Sequence, residues 1–130
     1  MNVRIAHRGP AGKYEMWSRC RDPGRWPDWM TLVREVDAPG MLRPGLEGEL
    51  VLVGGFRVRL DVVDVNDRGP SWTVTLRPGP FRVELEHSVD EGFGLVAIDA
   101  PFPIALAFLP SARRSLSRLL RRGDHSPPVV

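Results

Sequence analysis

Apolar and polar residues alternate with a period of two through most of residues 46–99, and clusters of turn-forming residues cut that run at regular intervals. Gly54-Gly55, Asn66-Asp67-Arg68-Gly69, Pro78-Gly79-Pro80 and Asp90-Glu91-Gly92 are the cuts. They leave strands over 46–53, 56–65, 71–77, 81–89 and 94–99, and connections this short force an antiparallel meander. Two more strands are expected upstream, over 2–8 and over 32–37 ahead of Pro39-Gly40. The alternation sets Phe56, Val58 and Leu60 against Arg57, Arg59 and Asp61, Trp72, Val74 and Leu76 against Thr73 and Thr75, and Phe81, Val83 and Leu85 against Arg82, Glu84 and Glu86. One face of the sheet is therefore apolar and must be covered.

The cover comes from segments with the other period. Leu109, Ala112, Leu116, Leu119 and Leu120 recur at helical spacing with arginines opposite, so an amphipathic helix is expected over 103–122. Pro110 either kinks it or stands in the first turn of its second half. The run Ile104-Ala105-Leu106-Ala107-Phe108 is apolar all round, which suits helix buried on several sides or lining a cavity. Near the N-terminus, Tyr14, Trp17 and Arg21 share a helix face within 11–21, and Arg25 to Met30 adds a further turn or two. The order is β-α-α-β, meander, long helix: an α+β arrangement forming one domain over 1–122, with a disordered tail over 123–130 that contains Pro127-Pro128.

Composition narrows the function classes. With 42% hydrophobic and 26% charged residues in 130, the chain has the make-up of a soluble globular domain. Cys20 is the sole cysteine, so no intrachain disulfide or cysteine-based metal site can form, and a reducing, cytoplasmic setting fits. The longest apolar stretch, Ala100 to Pro110, is broken by prolines and too short to span a bilayer, so no integral membrane contact is expected. Arg113, Arg114, Arg118, Arg121 and Arg122 outweigh the whole net charge of +2. Without interleaved aromatics they read as a solvated helix face and not as a nucleic-acid site. His7, His87 and His125 lack metal-ligand spacing, and no phosphate loop or GxSxG elbow occurs, so neither metal nor cofactor is expected.

Several stretches carry a family resemblance: the first strand, Met16-Trp17, Asp22-Pro23 followed by Trp26-Pro27-Asp28-Trp29, Leu42-Arg43-Pro44-Gly45, the turn and strand Gly92–Val96, and the closing helix. In these the chain resembles the START-like superfamily, which includes Bet v 1 allergens, lipid-transfer START domains, and bacterial polyketide cyclases and aromatases. The resemblance implies a helix-grip fold, a seven-stranded antiparallel sheet curled around the C-terminal helix with two short helices after the first strand and an apolar cavity between sheet and helix. Across that superfamily the cavity carries lipids, binds hormones or catalyses ring closure, so the fold does not choose the activity.

His87 continues the inner phase of Phe81, Val83 and Leu85, which places an imidazole in such a cavity where it could move protons near neutral pH. The alternative is a neutral histidine hydrogen-bonded near a strand end. Asp99 is the second catalytic candidate if Leu95 and Ala97 point inward; otherwise it caps the following helix or faces solvent. Tyr14, Trp29, Phe56, Trp72, Phe81 and Phe108 are the candidate ligand contacts, with Trp29 near the mouth. Trp17, Trp26 and Cys20 read as packing, and Arg57 and Arg59 as outer-face partners for Glu84 or Glu86. The expected cavity is roughly 300–1,000 Å³. The expected protein, a monomer or homodimer, binds a hydrophobic or aromatic small molecule, as a polyketide cyclase or dehydratase or, alternatively, as a non-catalytic carrier.

Overall fold

The computed structural model describes residues 1–121; the expected tail over 123–130 lies outside the described residues. Seven strands, β1 (Asn2–Arg8), β2 (Val33–Asp37), β3 (Glu47–Leu52), β4 (Arg57–Asn66), β5 (Ser71–Arg77), β6 (Val83–Asp90) and β7 (Phe93–Asp99), form one antiparallel sheet in the order β1-β7-β6-β5-β4-β3-β2. The meander runs without a break from β3 to β7, and β1 closes onto β7, pairing Asn2 with Asp99 and Arg8 with Phe93. Helix α1 (Lys13–Arg21), a 3₁₀ turn (Pro23–Arg25) and the single turn α2 (Trp26–Trp29) follow β1, and α3 (Phe102–Leu119) packs against the curled sheet.

The inner phase is as the alternation requires along Val58, Leu60 and Val62, and along Trp72, Val74 and Leu76, all buried. A bulge in β4 leaves Val63 without a partner between the pairs Val62↔Val74 and Asp64↔Thr73, which turns Val63 outward. The inner phase does not extend into the turns. β4 starts at Arg57 and β6 at Val83, so Phe56 and Phe81 sit in the connections, 70% and 48% exposed. On the outer face Arg57 pairs with Glu49 at 2.7 Å and Arg59 with Glu47 at 3.2 Å, not with Glu84 or Glu86. The reason is topological: β3 adjoins β4, whereas β6 is two strands away.

The stretch 22–29 ties α1 to the sheet. The Asp22 carboxylate accepts the Gly24 N–H at 3.0 Å and opens the 3₁₀ turn, with Pro23 at its first position. Two indoles then close the C-terminal end of α1: Trp26 Nε1 donates to the Cys20 carbonyl at 2.9 Å and Trp29 Nε1 to the Arg19 carbonyl at 3.3 Å. Such carbonyls have no partner within the helix. Both indoles are fully buried.

α3 is held firmly at one end only. Leu116, Leu119 and Leu120 are buried, the helix ends at Leu119, and the Leu120 carbonyl just beyond it accepts the Ala11 N–H at 3.0 Å. The buried guanidinium of Arg19 donates to the Leu119 carbonyl at 2.6 Å and the Arg121 carbonyl at 2.8 Å, and reaches Glu15 Oε2 at 2.9 Å. In the N-terminal half only Ala105 is fully buried; Phe102 and Leu106 are exposed, so the apolar run before Pro110 is covered on one side alone.

Two glycines let the firm end approach the sheet. A Cβ on Gly9 would meet Leu120 Cβ at 2.7 Å and the Leu120 carbonyl oxygen at 2.8 Å, and one on Gly94 would meet Leu120 Cδ1 at 2.8 Å. At Gly9 the obstacle includes backbone, whereas at Gly94 it is a side-chain end that can rotate. Gly9→Ala should therefore cost about 1–3 kcal/mol in urea unfolding and Gly94→Ala clearly less. Equal losses would show that the helix end yields freely.

Candidate functional site

A cavity of about 80 Å³ lies between the inner face of the sheet and the middle of α3. β5 contributes Trp72, Val74 and Leu76, β6 Leu85 and His87, β7 Val96 and Ile98, and β3 Leu50 and Leu52. Trp26, Met30 and Leu32 close it from the α2 side, and Phe108, Ser111, Ala112 and Ser115 from α3. None of these residues carries a formal charge. The volume is well below the 300–1,000 Å³ expected for a drug-sized ligand.

Of the residues singled out from sequence, His87, Trp72 and Phe108 come together on this cavity. The others do not. Tyr14 is 74% exposed on α1, and Phe56 and Phe81 remain in their turns. Trp29 is sealed in the core instead of standing at a mouth, because its N–H is engaged by the Arg19 carbonyl. Asp99 faces outward: in β7 the inward phase is Gly94, Val96 and Ile98, which leaves Asp99 exposed, 4.0 Å from the Met1 ammonium. Nor does Asp99 cap α3, whose N-cap is Pro101.

His87 sits in a column of rings. Its imidazole stacks on Trp72, its cross-strand partner, at 4.3 Å and 7°, and Trp72 stacks on Trp26 at 5.0 Å and 20°. Trp29 meets both His87 and Trp72 edge-on, at 5.8 and 6.5 Å. Each such pair contributes about 0.5–1.5 kcal/mol beyond burial. His87 is 5% exposed, and its Nδ1 is fully enclosed with no hydrogen-bond partner. Burial lowers its pKa from 6.5 to about 3, so the ring is neutral at physiological pH.

Cys20 lies behind the column. The Trp72 indole N–H points toward its sulfur without closing a hydrogen bond of ordinary geometry. Burial pushes the thiol up to about 12, the Trp72 and Arg19 side chains offsetting it only in part, which leaves a packing thiol and not a nucleophile.

On the α3 side the wall is locally weak. Pro110 supplies no N–H to the preceding turn, and Ser111 Oγ donates back to the Phe108 carbonyl at 3.2 Å. Thr31 latches this segment to the end of α2: its N–H donates to Ser115 Oγ at 3.1 Å and its hydroxyl to the Ser111 carbonyl at 3.3 Å.

Sequence reasoning passed over Trp26, Ser111 and Ser115. A helix of four residues has too little periodicity to show which indole faces the sheet. The serines, at helical spacing with Phe108 and Ala112, were a usable signal for a partly polar wall.

No family model matches the chain, and no curated protein matches it. Solved structures do. Ara h 8.0201, a Bet v 1 homologue, superposes over 92% of this chain and 94% of its own with a TM-score of 0.73 at 8% identity. The chain has the Bet v 1-like helix-grip fold. XoxI from Bacillus cereus shares this helix-grip fold over 92% of each chain, with a TM-score of 0.69 at 13% identity. A protein from Nitrosospira multiformis does so over 92% of this chain and 94% of its own, with a TM-score of 0.71 at 13% identity. At these identities the likeness carries the Bet v 1-like fold and no activity. No helix among the described residues is long and apolar enough to cross a membrane.

Proposed function

We propose that this chain acts as one domain that binds a small hydrophobic molecule between α3 and the sheet, as a carrier or sequestering protein. The observation that carries this reading is the uncharged cavity around Trp72, Val74, Ile98 and Phe108, set within the buried apolar core. An apolar void forfeits dispersion contacts that a ligand would restore. At about 80 Å³ it holds a guest of a few carbons as it stands, since an apolar cavity that takes benzene measures about 150 Å³. A larger guest, a single ring included, needs the N-terminal half of α3 to yield, and Pro110 inside the helix together with the sparse burial ahead of it marks that half as the movable wall.

The polyketide cyclase or dehydratase reading rests on His87 alone. A ring held neutral with a pKa of about 3 is a weak base at pH 7, and Asp99 is on the other face, so no acid–base pair meets the cavity. Binding without chemistry is the better supported role. Ala112, on the cavity wall of α3, provides the test. Toluene should bind the wild type in isothermal titration and raise its Tm, while Ala112→Leu, which fills the space, should abolish both effects and keep a cooperative unfolding transition. No response of the wild type to toluene or to any other small hydrocarbon would sink the proposal.

A further inference from the structure

Two residues of the cavity wall carry a polar atom without a hydrogen-bond partner; one, the Trp72 indole N–H, is turned toward the Cys20 sulfur, and the other is the His87 imidazole. His87 is more than nine-tenths buried, lines the apolar space, and has an enclosed Nδ1 that no protein group satisfies. Leaving such a group unpaired costs about 1–3 kcal/mol, and a leucine or phenylalanine there would avoid the cost. The rings around His87 fix its plane, with Trp72 flat against one face and Trp29 edge-on, so the imidazole cannot swing out to water for a partner.

We propose that the site selects neutral apolar molecules bearing a single hydroxyl group, with that hydroxyl hydrogen-bonded to the His87 imidazole. This rests on the binding reading above and assigns it a ligand class. A neutral imidazole offers one donor and one acceptor, and a hydroxyl can answer either. Carboxylates are refused, because no lysine or arginine lines the cavity and an unpaired anion in an apolar site is heavily penalised. Amines are refused for the mirror reason, since no aspartate or glutamate lines it. The Ser111 and Ser115 hydroxyls on the α3 wall each already hold one hydrogen bond, Ser111 as donor to the Phe108 carbonyl and Ser115 as acceptor from the Thr31 N–H, whereas His87 Nδ1 holds none.

The test uses the full chain and three probes built on the same tolyl ring, toluene, 4-methylphenol and 4-methylbenzoate, titrated calorimetrically at pH 7.5. The phenol should bind at least tenfold more tightly than toluene, and 4-methylbenzoate should not bind. A pocket without a free acceptor gives the opposite order, because burying an unpaired hydroxyl costs affinity. In His87→Phe, which keeps a flat ring against Trp72, the preference for phenol over toluene should vanish. If that variant does not fold, the three wild-type affinities still decide. Toluene binding as tightly as the phenol, or 4-methylbenzoate binding as well as either, overturns the hydroxyl inference and leaves the apolar cavity standing. If none of the three binds, the binding reading itself falls.

Discussion

Arg19→Met should destabilise the protein by about 3–5 kcal/mol, one of the two largest effects expected here. A guanidinium that is 6% exposed would ordinarily be a liability, since removing a charge from water is expensive unless its donors are used. Here they are used, between two ends of the chain 100 and 102 residues apart. One end of the fork binds the carbonyls of Leu119 and Arg121, where the last turn of α3 has no partners of its own, and the other binds Glu15 one turn back on α1. Methionine fills similar space but returns those helix-end carbonyls to an apolar seam, and the charge that complements the negative end of the helix dipole is lost as well. Urea denaturation measures the stability, and Tm should fall by roughly 10 °C or more. Arg19→Lys should recover only part of the loss, because one ammonium cannot span both sets of acceptors. A loss below about 1 kcal/mol for Arg19→Met would mean that α3 is seated by Leu116, Leu119 and Leu120 without help from the clamp.

That clamp also shows where the sequence stops being legible. The meander could be read because each turn announces itself and each strand alternates, two local properties. All seven strands lie within two residues of the expected boundaries. Arg19 gave no sign, because its partners are carbonyls about a hundred residues away, and backbone carbonyls leave no mark on a sequence. The direction of Asp99 was open for a different reason. β7 is apolar on both phases, and its inner phase includes Gly94, whose missing side chain accommodates Leu120 and so removes one of the apolar positions that would have revealed it. Phe56 and Phe81 mark a third limit: alternation continued past the strand ends places them inside, yet α3 does not reach over the turns. The cavity volume depends on how tightly the sheet curls, a property of the whole molecule that no local pattern encodes.

Lowering the pH should cost the wild type stability that His87→Phe keeps. In the unfolded chain His87 titrates near 6.5, whereas in the folded protein burial lowers it to about 3. Between these values the unfolded state takes up a proton that the folded state refuses. Stability therefore falls as pH drops from about 6.5 toward 3, and above 6.5 this residue contributes no pH dependence. The full span amounts to on the order of 5 kcal/mol, with a slope of about 1.4 kcal/mol per pH unit well inside the window. Phenylalanine has nothing to protonate, and it keeps an aromatic surface against Trp72. The difference in unfolding free energy between variant and wild type should thus shift in favour of the variant by roughly 2 kcal/mol between pH 6.5 and pH 4.5, because the carboxylates titrate alike in both. A neutral hydroxyl-bearing ligand that binds the uncharged ring should carry the loss on to lower pH without steepening the slope, which a single proton already sets. Parallel pH profiles for the two proteins would place a proton, or a path for water, on the buried imidazole, and would undo both the neutral-ring account and the ligand selection that depends on it.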